Sequence, residues 1–196
     1  LKNLSLLNNS TIMIDEPELS MHPKWQEKIL QYYKTLFTDD AGNQIVQLFI
    51  ATHSDHVLKE AFRDQINTLV IVLNESNGII QSKHIIAPNI LPSITIAETN
   101  FLAFDIVSND FHIELYGWLQ QKESLTSIAD TDNFIVSHPL YNPLLHEKIY
   151  THPNGKTTYH SLSTYIRNAI DHPSTTTVFS PDELRTSIEL LINILR

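Results

Sequence analysis

An α/β amino-terminal region followed by a mainly α-helical carboxyl-terminal domain is the fold class this sequence predicts. Two apolar, β-branched runs, Ile12-Met13-Ile14 and Gln44-Ile45-Val46-Gln47-Leu48-Phe49-Ile50-Ala51, flank a stretch with a helical period, which is the pattern of a βαβ unit. Beyond the first third of the chain, apolar residues recur at helical spacing and strand signals fade.

The first run reads as a buried strand and ends in Asp15-Glu16-Pro17-Glu18-Leu19-Ser20-Met21-His22-Pro23. The second has the character of a strand covered on both faces and ends in Thr52-His53-Ser54-Asp55. Between them Pro23 suits a first helical turn. Trp25, Ile29, Leu30, Tyr33 and Leu36 or Phe37 then give an apolar stripe over Lys24 to Phe37, which the polar loop Asp39-Asp40-Ala41-Gly42-Asn43 ends. Further on, residues 67–74 and 78–86 read as strands of a hairpin joined through Asn77-Gly78, a strong turn signal. Ala87-Pro88-Asn89-Ile90-Leu91-Pro92-Ser93 reads as a domain edge. The domains expected are therefore 1–90, a linker at 91–108 and a helical domain at 109–196.

The chemistry lies at the strand ends. In open α/β sheets ligands bind outside the strand carboxyl ends. An Asp there can hold Mg²⁺, usually through water, and the next Glu can orient an attacking water. The second strand brings an imidazole, His53, to the same edge.

An apolar strand ending Asp-Glu-Pro-Glu-Leu-x-x-His-Pro, then one ending Thr-His-Ser, resembles the Walker B, D-loop and H-loop of ABC-type ATPases, in the branch of RecF, SMC proteins and OLD-family nucleases. The resemblance covers residues 1–86. It implies ATP and Mg²⁺ as cofactors, Asp15 as the Walker B carboxylate and metal residue, and Glu16 as the catalytic base. It places Ser20, Met21 and His22 in a D-loop that crosses to a second ATPase subunit, so a homo-oligomer through this face is expected. His53 becomes the switch histidine at the γ-phosphate. The chain departs from the family in having no Gly-x-x-x-x-Gly-Lys-Ser/Thr among its 4 glycines, and no Ser-Gly-Gly-type signature. It therefore reads as the carboxyl-terminal part of a longer P-loop ATPase, without hydrolytic activity by itself.

Composition narrows the classes. The 196 residues, 42% hydrophobic, can bury a core. The absence of Cys argues against a disulfide framework or a Cys-based zinc site and fits a cytoplasmic protein. No apolar run reaches membrane-spanning length. A formal charge of -9 argues against a broad DNA-binding face in this chain, because counterion-release binding needs clustered Lys and Arg.

In the tail, helices are expected over Asp110 to Lys122, with Phe111, Leu115, Trp118 and Leu119, and over Ser161 to Ile170. A last helix opens with Ser180-Pro181-Asp182-Glu183 as a capping box and carries Leu184, Ile188, Leu191, Ile192 and Leu195 as a core stripe. Arg167-Asn168-Ala169-Ile170-Asp171-His172-Pro173 sets a fixed cation and a proton-transfer group at a helix end, a pair suited to metal-free RNA cleavage. The competing reading is an Arg paired with Asp171 or Glu114 and a His capping the helix. The Arg and His spacing is similar to that of HEPN domains, which act as RNases or as silent dimerisation modules. ATPase fusions of that kind occur in PrrC and RloC anticodon nucleases, and the order of the tail resembles defence ATPases of the PtuA or retron-associated kind. His138, His146, His152 and His160 sit among Pro, Asn and Thr in apparent loops and read as surface histidines.

These readings lead to an ATPase subunit of an antiphage or stress-response system whose nucleotide state controls a nuclease acting on RNA or DNA. The alternatives are a scaffold or sensor ATPase with a silent helical tail and a separate nuclease partner, and a DNA-repair ATPase of RecF or SMC type.

Overall fold

The computed structural model describes residues 7–85, 90–152, 155 and 157–196. The chain divides into two compact units, one of Leu1–Pro88 with Ile94–Thr99 and one of Asn89–Ser93 with Asn100–Arg196.

The first unit is built on a βαβ element. Strand β1 (Ser10–Asp15) and strand β2 (Val46–Ala51) pair in parallel from Ser10 opposite Val46 to Asp15 opposite Ala51. Helix α1 (Pro23–Leu36) makes the crossover, with His22 as its N-cap, Nδ1 accepting from the Lys24 N–H at 3.2 Å, and Pro23 in its first turn. In the loop after α1, Asp39 accepts from the backbone N–H groups of Ala41 and Asn43, and these bonds hold its carboxyl below the usual value. Helix α2 (Asp55–Arg63) packs on α1, and Ile29, Leu30, Val57, Ala61 and Phe62 are buried. Lys34 on α1 bridges to Asp64 at 2.5 Å and to Thr68 at 2.6 Å, fixing the segment that follows α2.

The strands differ from the expectation of burial on both faces. Ile12, Ile14, Val46, Leu48 and Ile50 occupy the more covered face. Met13 is 82% exposed and Phe49 47% on the other. A parallel pair covered from one side must alternate, because successive side chains point to opposite faces. Trp25, expected in the α1 stripe, is also exposed, lying in the first turn of the helix.

Strands β3 (Val70–Ser76) and β4 (Ile79–Ile85) form the expected hairpin. Asn77 and Gly78 have φ of 54° and 77°, the left-handed pair that a two-residue turn matched to strand twist requires. Residues 86–89, part of the expected domain edge, lie outside the described residues. The segment 91–108, read as a linker, contains helix α3 (Ile96–Phe104).

The second unit holds α4 (Asn109–Lys122), α5 (Ile128–Ser137), α6 (Pro143–His146), α7 (Leu162–Asp171) and α8 (Pro181–Leu195). Between α6 and α7, where loop is expected from the Pro, Asn and Thr around the histidines, runs an antiparallel hairpin, β5 (Glu147–Thr151) with β6 (Thr158–Ser161). His160 therefore sits in a strand, exposed, while His138 caps α5 and His146 ends α6. The core is apolar: Phe111, Leu115, Leu119, Ile135, Ile166, Ile188 and Leu191 are wholly buried. The capping box of Ser180 and Glu183 is formed, and every member of the α8 stripe is buried.

Through this core runs a set of buried polar contacts. His112 Nε2 lies 2.9 Å from Ser187 Oγ, which donates to Ser163 Oγ at 2.7 Å. Tyr116 OH meets Thr164 Oγ1 at 3.0 Å, and burial raises the Tyr116 hydroxyl to about 12. Asp132 accepts from the N–H of His160 and of Ser161 and from Ser161 Oγ, pinning the β6 to α7 junction onto α5. Buried polar contacts of this kind favour one arrangement of helices, since breaking one strands a buried polar group at a cost of about 1–3 kcal/mol.

His112 gives this core a pH dependence. Fully buried, with Nδ1 lacking a partner among the described residues, its imidazole is lowered by desolvation to about 3. The unfolded chain takes up a proton near pH 6.5 that the folded one refuses, so stability is full above that pH and falls as pH drops toward 3. The expected slope is up to ~1.4 kcal/mol per pH unit between about 6 and 4, before most carboxylates titrate. His146, also lowered by burial, acts in the same direction. Urea unfolding of the chain at several pH values should show this slope, and His112→Gln should flatten most of it; an equal slope in the variant would contradict the assignment.

Candidate functional site

The register of β1 and β2 determines what gathers at their carboxyl ends. The ladder continues one residue past β1, with the Glu16 N–H donating to the Ala51 carbonyl at 2.9 Å. That bond sets Glu16 beside the loop leaving β2, and its Oε1 lies 3.7 Å from His53 Nε2. Asp15, directly opposite Ala51, is exposed at the strand end. Asp15, Glu16 and His53 thus share one edge.

The loop from Glu16 to His22 is a succession of tight turns. Leu19 N–H donates to the Glu16 carbonyl at 3.0 Å and Met21 N–H to the Glu18 carbonyl at 2.9 Å. Glu16 and Ser20 adopt φ of 43° and 64°, the left-handed region that non-glycine residues avoid by about 1–2 kcal/mol. Ser20 and His22 are exposed on this loop, and His22 also begins α1.

Beneath the exposed groups lies a set of contacts that the sequence did not disclose. Glu18 is buried, 6% exposed, and accepts a hydrogen bond from Thr52 Oγ1 through Oε1. Thr52 Oγ1 accepts in turn from the Ser54 N–H at 3.0 Å, and Ser54 Oγ donates to Gln26 Oε1 at 2.7 Å. Gln26 Nε2 donates to the Met21 carbonyl at 3.0 Å, closing a path from the loop after β1 to the loop after β2 and back. Glu18 and Thr52 are 34 residues apart, beyond the reach of any local sequence pattern.

The donor set fits Mg²⁺ held mainly by water and nucleotide phosphate. Asp15 supplies one exposed carboxylate, and the described residues contain no cluster of three or more His, Asp or Glu side chains able to cage an ion.

In the second unit, Arg167 and His172 are not joined by any described contact. Arg167 pairs with Asp171 at 2.7 Å and donates to Asn168 Oδ1 at 3.1 Å. Its guanidinium is thus engaged along α7, and Asn168, nearly buried, donates to the Thr164 carbonyl. His172 is the exposed C-cap of α7, its N–H bonded to the Asn168 carbonyl.

A family model described as an AAA ATPase domain matches residues 4–58, the segment that spans β1, α1, β2 and both loops. The match suggests an ATP-hydrolysing function, with which nucleotide binding goes. No curated protein matches the chain. No helix among the described residues is long and apolar enough to cross a membrane.

Strain concentrated at a chemical edge has a measurable signature. Glu16→Gly and Ser20→Gly each place the residue type that tolerates positive φ at a strained position. Both are expected to leave the folding free energy of the first unit unchanged or raised by up to ~1 kcal/mol, partly offset by the greater freedom of the unfolded chain. Chemical denaturation checks this. A loss of more than about 1 kcal/mol at Glu16 would mean that its side chain serves the fold rather than the chemistry.

Proposed function

We propose that this chain carries the metal and water side of an ATP-hydrolysing site, with the loop that cradles the phosphates supplied by residues other than these. The observation that carries the reading is the meeting of Glu16 and His53, 3.7 Å apart, at the ends of adjacent parallel strands next to an exposed Asp15. The match of residues 4–58 to an AAA ATPase domain supports it, since that match contains every one of these residues.

In this reading Asp15 is the residue that would hold Mg²⁺, whose chemistry there would be to offset the charge of the phosphates. Glu16, partly exposed, orients the attacking water and accepts its proton. His53, with its side chain 86% exposed, reaches the γ-phosphate as a hydrogen-bond donor. Its nearness to Glu16 lets one phosphate and one water be read together. Ser20 and His22, presented on the strained loop, form the face on which a second ATPase subunit closes, so the working form is a homo-oligomer. The nucleotide state then governs a nuclease, in an antiphage or stress-response role.

For the tail, the engagement of Arg167 with Asp171 and Asn168 favours the second reading, a helical dimerisation module paired with a separate nuclease. An RNase pair would need that guanidinium turned toward phosphate.

In a polypeptide that joins this chain to its phosphate-binding loop, Glu16→Gln is expected to keep ATP affinity while lowering hydrolysis by at least ~10²-fold. Asp15→Ala should weaken Mg²⁺-dependent nucleotide binding itself. Equilibrium binding and steady-state phosphate release distinguish the two effects, and hydrolysis at the normal rate in Glu16→Gln would remove the proposal.

A further inference from the structure

The ATPase reading leaves Glu18 without a task, although Glu18 is the most buried carboxylate of the loop that carries Glu16. Its Oε1 accepts a hydrogen bond from the Thr52 hydroxyl, while Oε2 is buried with no hydrogen-bond partner among the described residues. A buried carboxylate with one oxygen unmatched is a poor stabilising element, because it loses hydration that a single hydroxyl does not replace. An apolar side chain or an amide would serve the fold as well. A buried polar atom left unmatched therefore calls for an explanation beyond packing.

What Glu18 does is visible in its partner. Thr52 immediately precedes His53, and its hydroxyl also receives the Ser54 N–H, so the Glu18 to Thr52 bond fixes the backbone on both sides of His53. Glu18 itself follows Glu16 by two residues, in a loop whose Glu16 and Ser20 are held at positive φ. The link therefore joins the two loops that carry Glu16, partly exposed, and His53, exposed, which face each other. No other side-chain hydrogen bond among the described residues joins residues 16–20 to residues 52–54. We infer that Glu18, through Thr52, is a positioning residue that holds Glu16 and His53 at a fixed separation, so that water and γ-phosphate are presented together. Glu18 touches neither; it acts through the loops.

This inference rests on the ATPase reading of the same edge, and its test separates the two. In the ATPase-competent polypeptide, Thr52→Val removes the hydroxyl and keeps the shape, and Glu18→Ala removes the acceptor. Each is expected to lower kcat by about 10- to 100-fold, the scale of a small misplacement of reacting groups, with KM for ATP nearly unchanged. Because both break one link, the double variant should be no slower than the slower single one. Thr52→Ser, which keeps the hydroxyl, should restore kcat, and Glu18→Gln, whose amide oxygen can accept the same proton, should restore most of it. If Glu18→Ala unfolds, the Thr52 pair decides alone, with thermal melting as the control on folding. Full kcat in Thr52→Val would overturn the inference, as would a rise in KM with kcat intact. Glu16→Gln measured alongside supplies the distinction: its inactivity together with a fully active Thr52→Val sinks the positioning role only, whereas normal hydrolysis in Glu16→Gln sinks both.

Discussion

The parallel pairing of β1 with β2 is the constraint from which the candidate site follows. Parallel strands run their carboxyl ends out at the same edge, so whatever side chains leave those ends must meet. Here the register sets Asp15 opposite Ala51, and the additional bond from the Glu16 N–H to the Ala51 carbonyl carries the pairing one residue into the loop. A shift of one residue would turn Ile12 and Ile14 to the open face and separate Glu16 from His53. Packing holds the register: Ile12, Ile14, Leu48 and Ile50 share the covered face, and α1 and α2 bury Ile29, Leu30, Val57 and Phe62 against one another. On the open face Met13 lies opposite Phe49, a cross-strand pair left largely to solvent.

The two units solve the same problem, holding polar groups where they are needed, in opposite ways. In the second unit the polar groups are deep and bonded mainly to one another: Asp132 accepts from His160 and Ser161, and Ser187 joins His112 to Ser163. That network orders helices. In the first unit Asp15 and His53 are exposed at the rim and Glu16, in strained backbone, is partly so, with one buried link between their loops. Rigid support beneath an exposed edge is what chemistry requires, because reacting groups must meet solvent-borne ligands and still keep their geometry.

Much of this was legible in the sequence. The βαβ unit, the Asn77-Gly78 turn, the capping box at Ser180 and the core stripe of α8 are local patterns, each written in consecutive or helix-spaced residues. The meeting of Glu16 with His53 was legible too, because parallel topology converts two strand ends into one place. What escaped depends on partners distant in sequence. The exposure of Met13 and Phe49 depends on which face the helices cover. The β5 and β6 hairpin is short, and its residues Thr158-Tyr159-His160 offered no apolar run. The burial of Glu18 needed Thr52, and that of His112 needed Ser187, 75 residues on. Arg167 and Asp171 were visible as a helical pair, and the structure forms it.

The central claim is that the carboxyl ends of β1 and β2 receive a metal and the terminal phosphate of a nucleotide. Paramagnetic broadening tests it most directly. With the ATPase-competent polypeptide bound to a slowly hydrolysed ATP analogue and Mn²⁺ in place of Mg²⁺, the backbone amides of Asp15, Glu16 and His53 should broaden first and most strongly. Those of the β3 and β4 hairpin should stay sharp. Undisturbed signals at Asp15, Glu16 and His53 alongside tight Mn²⁺-nucleotide binding would place the nucleotide elsewhere and contradict the account.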